Sequence, residues 1–348
     1  MKEEPLVSII IPVYNASQFL TRCIESIISQ DTCKFEMVLV DDGSTDGSSE
    51  ICDKYINDNR CLVTVIHKEN QGVTEARIDG FNISSGKYVM FVDADDYLSS
   101  GTLNIMYGTA IFSNADLVVT QNNIIIDNLT IKKFKRTART GLYSRKDIDD
   151  LLHSTFLFDK DDNKSGFPLY LWGKLYRREI LEGILEKPKG FWYGEDIICM
   201  MAIMNRINSM YILNTHLYNY SFHPGQVTKK SIDNLWPQYV RVWDYINRND
   251  LDNYFYRQLP ERIWFFCYSS LWSNAMKSSL KNFIKTYNIV REPNIVKQLV
   301  LNKKSIIQGR TNNMFKFFMR NGWSWIHYVF IRYSIIKRVK KIIRFKSL

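Results

Sequence analysis

Residues 7–46 read VSIIIPVYNASQFLTRCIESIISQDTCKFEMVLVDDGSTD, and the changes of period inside them decide the fold class. Val7-Ser8-Ile9-Ile10-Ile11 is a β-branched run stopped by Pro12, which has no N–H for a sheet ladder. Phe19, Leu20, Cys23, Ile24, Ile27 and Ile28 then recur at the spacing of one helical face, with Ser17 placed as N-cap. Met37-Val38-Leu39-Val40 returns to strand character and is stopped by Asp41-Asp42-Gly43. Apolar strands covered by a helix with one buried stripe imply βαβ units and a two-faced parallel sheet. Outward from there, Leu62 to Ile66, Tyr88 to Val92 and Leu117 to Val119 continue the alternation every ~25–30 residues. The first 120 residues are expected to form a doubly wound α/β domain, a Rossmann-like, mostly parallel sheet flanked by helices.

The alternation then ends. Residues 121–165 are polar and charge-rich, with Lys132-Lys133-Phe134-Lys135-Arg136 and Asp159 to Lys164, and are expected to be surface loops. From Trp236 onward apolar and aromatic residues fall three or four apart (Trp236, Tyr239, Trp243, Ile246, then Trp264, Phe265, Tyr268, Leu271, Trp272), so a helical C-terminal subdomain is expected. No apolar run approaches the ~18–20 residues of a spanning helix. Met1 to Ile10 carries two Glu and lacks the layout of a signal peptide, which makes a cytoplasmic chain the expectation. Six scattered cysteines without CxxC spacing argue against a zinc site or a disulfide framework.

In an open α/β sheet, ligands bind beyond the carboxyl ends of the strands. The first strand is followed here by Pro12-Val13-Tyr14-Asn15 rather than a glycine-rich phosphate turn, so a dinucleotide site is excluded. Asp41-Asp42-Gly43-Ser44 ends the second strand and Asp93-Ala94-Asp95-Asp96 the fourth, bringing five carboxylates to one edge. The first group also suits an ordinary turn with Ser44, Thr45 or Asp46 capping the next helix. Three acids in four positions repel one another unless a cation balances them, and hard oxygen donors suit Mg²⁺ or Mn²⁺.

Four ordered stretches carry a resemblance: Val7 to Asn15 (VSIIIPVYN), Val40 to Asp46 (VDDGSTD), Asn70 to Arg77 (NQGVTEAR) and Ser85 to Leu98 (SGKYVMFVDADDYL). They are similar to the successive motifs of family 2 glycosyltransferases, inverting enzymes with a GT-A fold, and Gly194-Glu195-Asp196 resembles the family's acceptor-side acids. The resemblance implies a GT-A catalytic domain over 1–230, with a nucleotide-sugar half at 1–120 and an acceptor half at 121–230, before a helical region at 231–348. It implies a UDP-sugar donor with Pro12, Tyr14, Asn15 and Asp41 or Asp42 at the nucleobase, and Arg77 on the nucleotide or its diphosphate. Asp93 and Ala94 would lie at the ribose, and Asp95, with Asp93, would hold the metal. Asp196, beside Glu195, would be the base that takes the acceptor proton; the pair equally suits the start of a helix at Ile197. Trp172 and Lys174 fall where relatives could stack a sugar or hold phosphate, although a core aromatic and a solvated Lys fit as well. The loop Tyr218 to Thr228 has Ser221 where the family usually has Arg, which leaves His223 or Lys229-Lys230 to supply that contact, or His223 to meet the metal. No QxxRW motif is present, against a processive synthase.

The formal net charge is +10, with 46 Lys+Arg against 36 Asp+Glu. No acid follows Glu292, whereas thirteen Lys or Arg do, so the rest of the chain is slightly acidic. Ile335, Ile336, Val339, Ile342 and Ile343 form one helical stripe with Lys337, Arg338, Lys340, Lys341 and Arg344 on the other, led into by Trp323, Trp325, Tyr328, Phe330 and Tyr333. A basic amphipathic tail over 323–348 points to an anionic membrane surface, or to a helix packed on its own domain; no nucleic-acid motif accompanies the charge. The expectation is an enzyme peripheral on the inner face of the plasma membrane that extends a glycan, lipid-linked oligosaccharide or teichoic-type acceptor. The other is a catalytically silent GT-A relative serving as a saccharide-binding or scaffold protein. The aromatic excess after Trp236 also suits a homo-oligomer interface.

Overall fold

A computed structural model describes residues 5–30, 34–58, 60–126, 129–134, 139–156, 158–159, 164–165, 167–223, 232–248, 258, 262, 266–267, 271–272, 274–276, 278–293 and 310–333. The chain divides into two compact units, Met1–Asp150 with Pro168–Lys229, and Leu151–Phe167 with Lys230–Leu348. Residues 151–167, expected with the catalytic domain, thus group with the C-terminal unit.

In the first unit β1 (Val7–Val13), α1 (Ser17–Ile28), β2 (Phe35–Asp41), α2 (Ser48–Lys54), β3 (Leu62–His67), α3 (Val73–Ile83) and β4 (Tyr88–Phe91) follow the alternation read from the sequence. β1 lies inside the sheet: it pairs in parallel with β2 on one side and with β4 on the other. All of Val7, Ile9, Ile10, Ile11 and Val13 are buried, as a strand covered on both faces requires. Against β1 and β2 packs α3, close enough that a Cβ on Gly80 would come within 2.5 Å of Ile10. The Ser17 cap is not formed. Ala16 is the N-cap of α1, and the first-turn donors are met from the next loop instead, Ser17 N–H by Asp46 Oδ2 (2.9 Å) and Ala16 N–H by Ser48 Oγ (2.9 Å).

Beyond β4 the chain adds β5 (Tyr97–Leu98), α4 (Thr102–Ser113), β6 (Leu117–Ile126), β7 (Leu129–Phe134), β8 (Gly141–Ser144) and α5 (Arg145–Ser154); β9 (Phe158–Asp159) and β10 (Lys164–Ser165) form a separate short ladder. β11 (Lys174–Arg177), α6 (Arg178–Leu181), α7 (Glu195–Arg206) and β12 (Ser209–Ser221) complete the first unit. The sheet runs β3-β2-β1-β4-β11-β6-β12-β5, with β7 on β6 and β8 on β12. Its first four strands are parallel, while β11 and β5 run antiparallel to their neighbours, so the sheet is mixed beyond β4. Most of the described residues in 121–165 are therefore in regular structure rather than loop. Thr120, Gln121 and Asn122 are buried inside β6, where the Thr120 hydroxyl donates to Thr215 C=O and the Gln121 amide to Leu213 C=O.

In the second unit Trp236, Tyr239, Trp243 and Ile246 line the buried side of the helix Ile232–Arg248, in agreement with their spacing. The helices Leu280–Arg291 and Arg310–Asn321 and the helical residues 324–333 pack around His327, whose ring meets Phe283, Tyr287 and Phe318. Burial holds that imidazole neutral, its pKa pushed down to about 3. Lys229, Lys230 and the basic stretch 335–348 lie outside the described residues.

Candidate active site

Strand order reverses at β1, with β2 and β3 on one side and β4 on the other, so the switch-point crevice opens beyond the carboxyl ends of β1 and β4. The chain delivers Tyr14 and Asn15 from the first and Asp93 to Asp96 from the second. From α3 comes Arg77, and the first turn of α7 presents Glu195 and Asp196 after Gly194, whose φ of 80° suits a residue without Cβ.

The centre of the site is Arg77, 4% exposed, whose guanidinium reaches three carboxylates. Nη2 donates to Asp93 (3.0 Å), and Nη1 to Asp196 (2.8 Å) and Glu195 (3.4 Å). One buried cation therefore ties the acids after β4 to those that open α7. Burial alone would make Arg77 easier to deprotonate, but Asp196, Asp93 and Glu195 more than reverse this and hold it charged. The acids share one cation and are incompletely balanced. Burial pushes Asp93 up to about 6 despite Arg77, and burial together with Asp196 pushes Glu195 up to about 7. Arg77, expected at the nucleotide or its diphosphate, here has both guanidinium Nη atoms engaged by these carboxylates.

Asp93, Asp95 and Asp96 offer carboxylate oxygens within 4.8 Å of one another. They differ in availability. Asp96 is fully buried, accepts from Tyr218 Oη (2.7 Å) and Ser221 N–H (2.8 Å), and is pushed well up by burial and by Asp95 and Asp93. Asp93 and Asp95 keep 29 and 26% of their side chains exposed. Two reachable carboxylates suit a hard divalent cation, whereas Asp96 serves as the anchor of Tyr218. Asp95 Oδ2 lies 2.9 Å from His223 Nε2, and the His223 ring stacks on Phe19 of α1 at 4.5 Å. Arg22 of α1 donates to Ser221 Oγ (2.8 Å) and to the Asp95 carbonyl (3.1 Å). Thus α1 fixes the end of β12 beside the acids, and Arg22 brings a guanidinium to Ser221.

The five strand-end carboxylates separate into two groups. Asp41 is held low by bonds from Ser44, Ser49 and His67 that outweigh its burial, and Asp42 accepts from Gln71 N–H (2.9 Å) and Gly72 N–H (2.7 Å). Both acids therefore order the loops after β2 and β3. In the same turn Gly43 has φ 77°, and a Cβ there would meet Asn70 N at 2.9 Å. Asn15, at φ 48°, accepts from Thr45 N–H (2.8 Å), while Tyr14 is 54% exposed and Pro12 half-buried. Ala94 is buried in the core. Trp172 is buried, with its ring against Tyr170 (3.5 Å) and Tyr218 (4.5 Å), so it packs the site floor rather than offering a face to a sugar. Lys174 is fully buried, and its ammonium donates to the Tyr170 and Trp172 carbonyls; it holds backbone, not phosphate. Sequence reasoning singled out neither Arg22 nor Tyr218 for the acid cluster. The only trace of Arg22 was a cation between the apolar positions of α1.

The profile of the family described as "Glycosyl transferase family 2" matches residues 8–185, half of the chain. A glycosyltransferase of Bacillus subtilis, EpsJ, described as uncharacterized, is 29% identical over 305 residues, covering 83% of this chain and 86% of its own. The cholesterol galactosyltransferase of Borreliella burgdorferi is 30% identical over 219 residues, 61% of this chain and 59% of that one. Among solved structures, that of S. aureus TarS 1-349 in complex with UDP has a TM-score of 0.67 at 20% identity, covering 95% of this chain and 91% of the other. That likeness shows a shared fold.

Proposed function

This chain belongs to glycosyl transferase family 2 and is a glycosyltransferase, and we propose that it is an inverting one using a UDP-sugar. Asp196 is the base: it takes the proton of an acceptor hydroxyl as that oxygen bonds to the anomeric carbon and the bond from the same carbon to the diphosphate breaks, releasing UDP. The observation that carries this reading is the Arg77 bridge, which holds Asp196 at 2.8 Å and Asp93 at 3.0 Å on one buried guanidinium. A base and the donor-side acids are thereby kept in register, with the Asp196 carboxylate 21% exposed and open to an acceptor. Glu195, raised toward neutrality, keeps the pair from carrying two full charges.

Asp95 and Asp93 would hold Mn²⁺ or Mg²⁺, which when bound offsets the charge of the departing diphosphate. Tyr14 is exposed beside the strand ends and would pack on the nucleobase, with Pro12 and Asn15 shaping that pocket. Arg22, held at Ser221 beside the acids, would supply a guanidinium to the diphosphate. The acceptor is read as a glycan, lipid-linked oligosaccharide or teichoic-type polymer reached at the inner face of the plasma membrane. Support comes from the charge run after Glu292 and from the lipid named in one relative, the cholesterol galactosyltransferase. Among the described residues no helix is long and apolar enough to cross a membrane, so a peripheral attachment is invoked.

The test is UDP release from a panel of UDP-sugars with and without Mn²⁺. Asp196→Asn is expected to abolish transfer while sparing UDP affinity. A folded protein that binds no UDP-sugar and is indifferent to Asp95→Ala would sink the proposal.

A further inference from the structure

The helical residues 324–333 have two apolar sides. One is used: Ser324, His327 and Ile331 are buried, and Tyr328 Oη donates to Ser278 C=O (3.1 Å). On the other, Trp325, Val329 and Tyr333 follow at i, i+4 and i+8, and are 59, 57 and 64% exposed. At the start of the same helix Trp323 (44% exposed) meets Phe317 (50%) edge-on, with ring centroids 5.3 Å apart. Single exposed apolar side chains are ordinary, but a continuous stripe of large ones marks a contact surface.

The charge around this stripe selects its occupant. Arg320 precedes it, six more Lys or Arg follow in 334–348, and no acid occurs after Glu292. An apolar protein partner would have no use for a one-signed field of this extent. A nucleic acid would answer the cations but not a stripe with Val329 at its centre. Trp and Tyr with an apolar body and a polar tip, set among cations, match the boundary between anionic headgroups and acyl chains.

We propose that the Trp325-Val329-Tyr333 stripe is a membrane-docking face that inserts into an anionic lipid surface. The stripe supplies apolar insertion, and the basic residues around and after it supply attraction to the headgroups. This deepens the reading that the acceptor resides at a membrane and rests on it, but the two fail separately, since vesicle binding is measured without any sugar donor.

The experiment is co-sedimentation of the full chain with phosphatidylcholine vesicles, with and without phosphatidylglycerol. Wild-type protein is expected to bind the anionic vesicles with a blue shift of tryptophan emission. The combined variant Trp325→Ser, Val329→Ser and Tyr333→Ser should lose at least about tenfold in affinity with unchanged circular dichroism and UDP binding. A variant that binds as well as wild type overturns the proposal, even if neutralising Lys337, Arg338, Lys340 and Lys341 abolishes binding, because the contact would then belong to the residues after the stripe. So does a wild type that ignores vesicles and forms a dimer broken by the variant, which would assign the stripe to a second copy. Loss of sugar transfer with intact vesicle binding would count against the catalytic reading alone.

Discussion

Replacing Arg77 by Met keeps most of the side chain's length and removes the charge that Asp93, Glu195 and Asp196 share. At 4% exposure the guanidinium has little water to replace it, and the three acids are left without the cation that touches them all. Removing one partner of a buried ion pair costs about 3–5 kcal/mol. In a unit of this size that lowers the melting temperature by roughly 6–20 °C. The deficit carries a pH signature through Glu195, which titrates at about 7 in the folded chain against a reference value of 4.5. A carboxyl raised on folding costs nothing where both states are protonated and costs most where both are ionised. Wild-type stability therefore falls as pH rises between those two values, by about 3 kcal/mol for this group. Arg77 works against that rise, so its removal moves the Glu195 titration higher still. The deficit of Arg77→Met should accordingly be smaller near pH 5 than near pH 8, growing as pH rises through about 7. Thermal unfolding of both proteins without divalent cations, followed by circular dichroism, measures it. A deficit equal at both pH values would refute the electrostatic argument and leave lost packing as the cause. Arg77→Lys should recover only part, because an ammonium lacks the planar fork that serves three carboxylates.

Three further substitutions test how the site is supported. Gly86→Ala would place a Cβ 2.6 Å from Ser8 N in β1, a backbone atom that cannot yield, and should cost about 1–3 kcal/mol in urea unfolding. Trp172→Ala should cost about 3–5 kcal/mol from the buried stack on Tyr170 and Tyr218; unchanged stability with a raised KM for the sugar would restore its reading as a sugar platform. Asp42→Ala leaves Gln71 N–H and Gly72 N–H without their carboxylate and should cost about 2–4 kcal/mol, seen also as faster hydrogen exchange at those two amides.

The parallel half of the fold was legible because its residues obey one period each. Val7–Val13 is buried throughout, and α1 buries the expected Leu20, Cys23, Ile24, Ile27 and Ile28. The antiparallel half was not, because its strands are sorted by partners rather than by hydropathy. In β6, Gln121 read as a loop residue but sits in mid-sheet, its amide donating to the Leu213 carbonyl more than ninety positions away. β11 is four residues long and opens on a lysine that is fully buried, a pattern that local sequence presents as surface. The Ser17 cap failed because α1 opens one residue earlier, with Ala16 as N-cap and the Ser17 N–H itself met by a remote carboxylate, Asp46.

In the site, acids announced themselves by density, whereas the cations that organise them did not. Arg77 lay within a recognised motif, yet only the structure gives it three carboxylate partners, and Arg22 joins through a residue 199 positions distant. This arrangement constrains how a donor can enter. Arg77 is engaged by Asp93, Glu195 and Asp196, so a bare diphosphate approaching Asp93 and Asp95 faces reachable carboxylates with Arg22 as the neighbouring guanidinium. Two like charges about 4 Å apart repel by about 4 kcal/mol at an effective dielectric near 20, a penalty of roughly a thousandfold in affinity. A divalent cation on Asp93 and Asp95 removes that penalty, so UDP affinity should fall by at least tenfold when Mn²⁺ is chelated. The vesicle binding proposed for the Trp325-Val329-Tyr333 stripe should not respond to the same chelator. If UDP binds equally tightly without a divalent cation, the acids after β4 are not where the diphosphate lies.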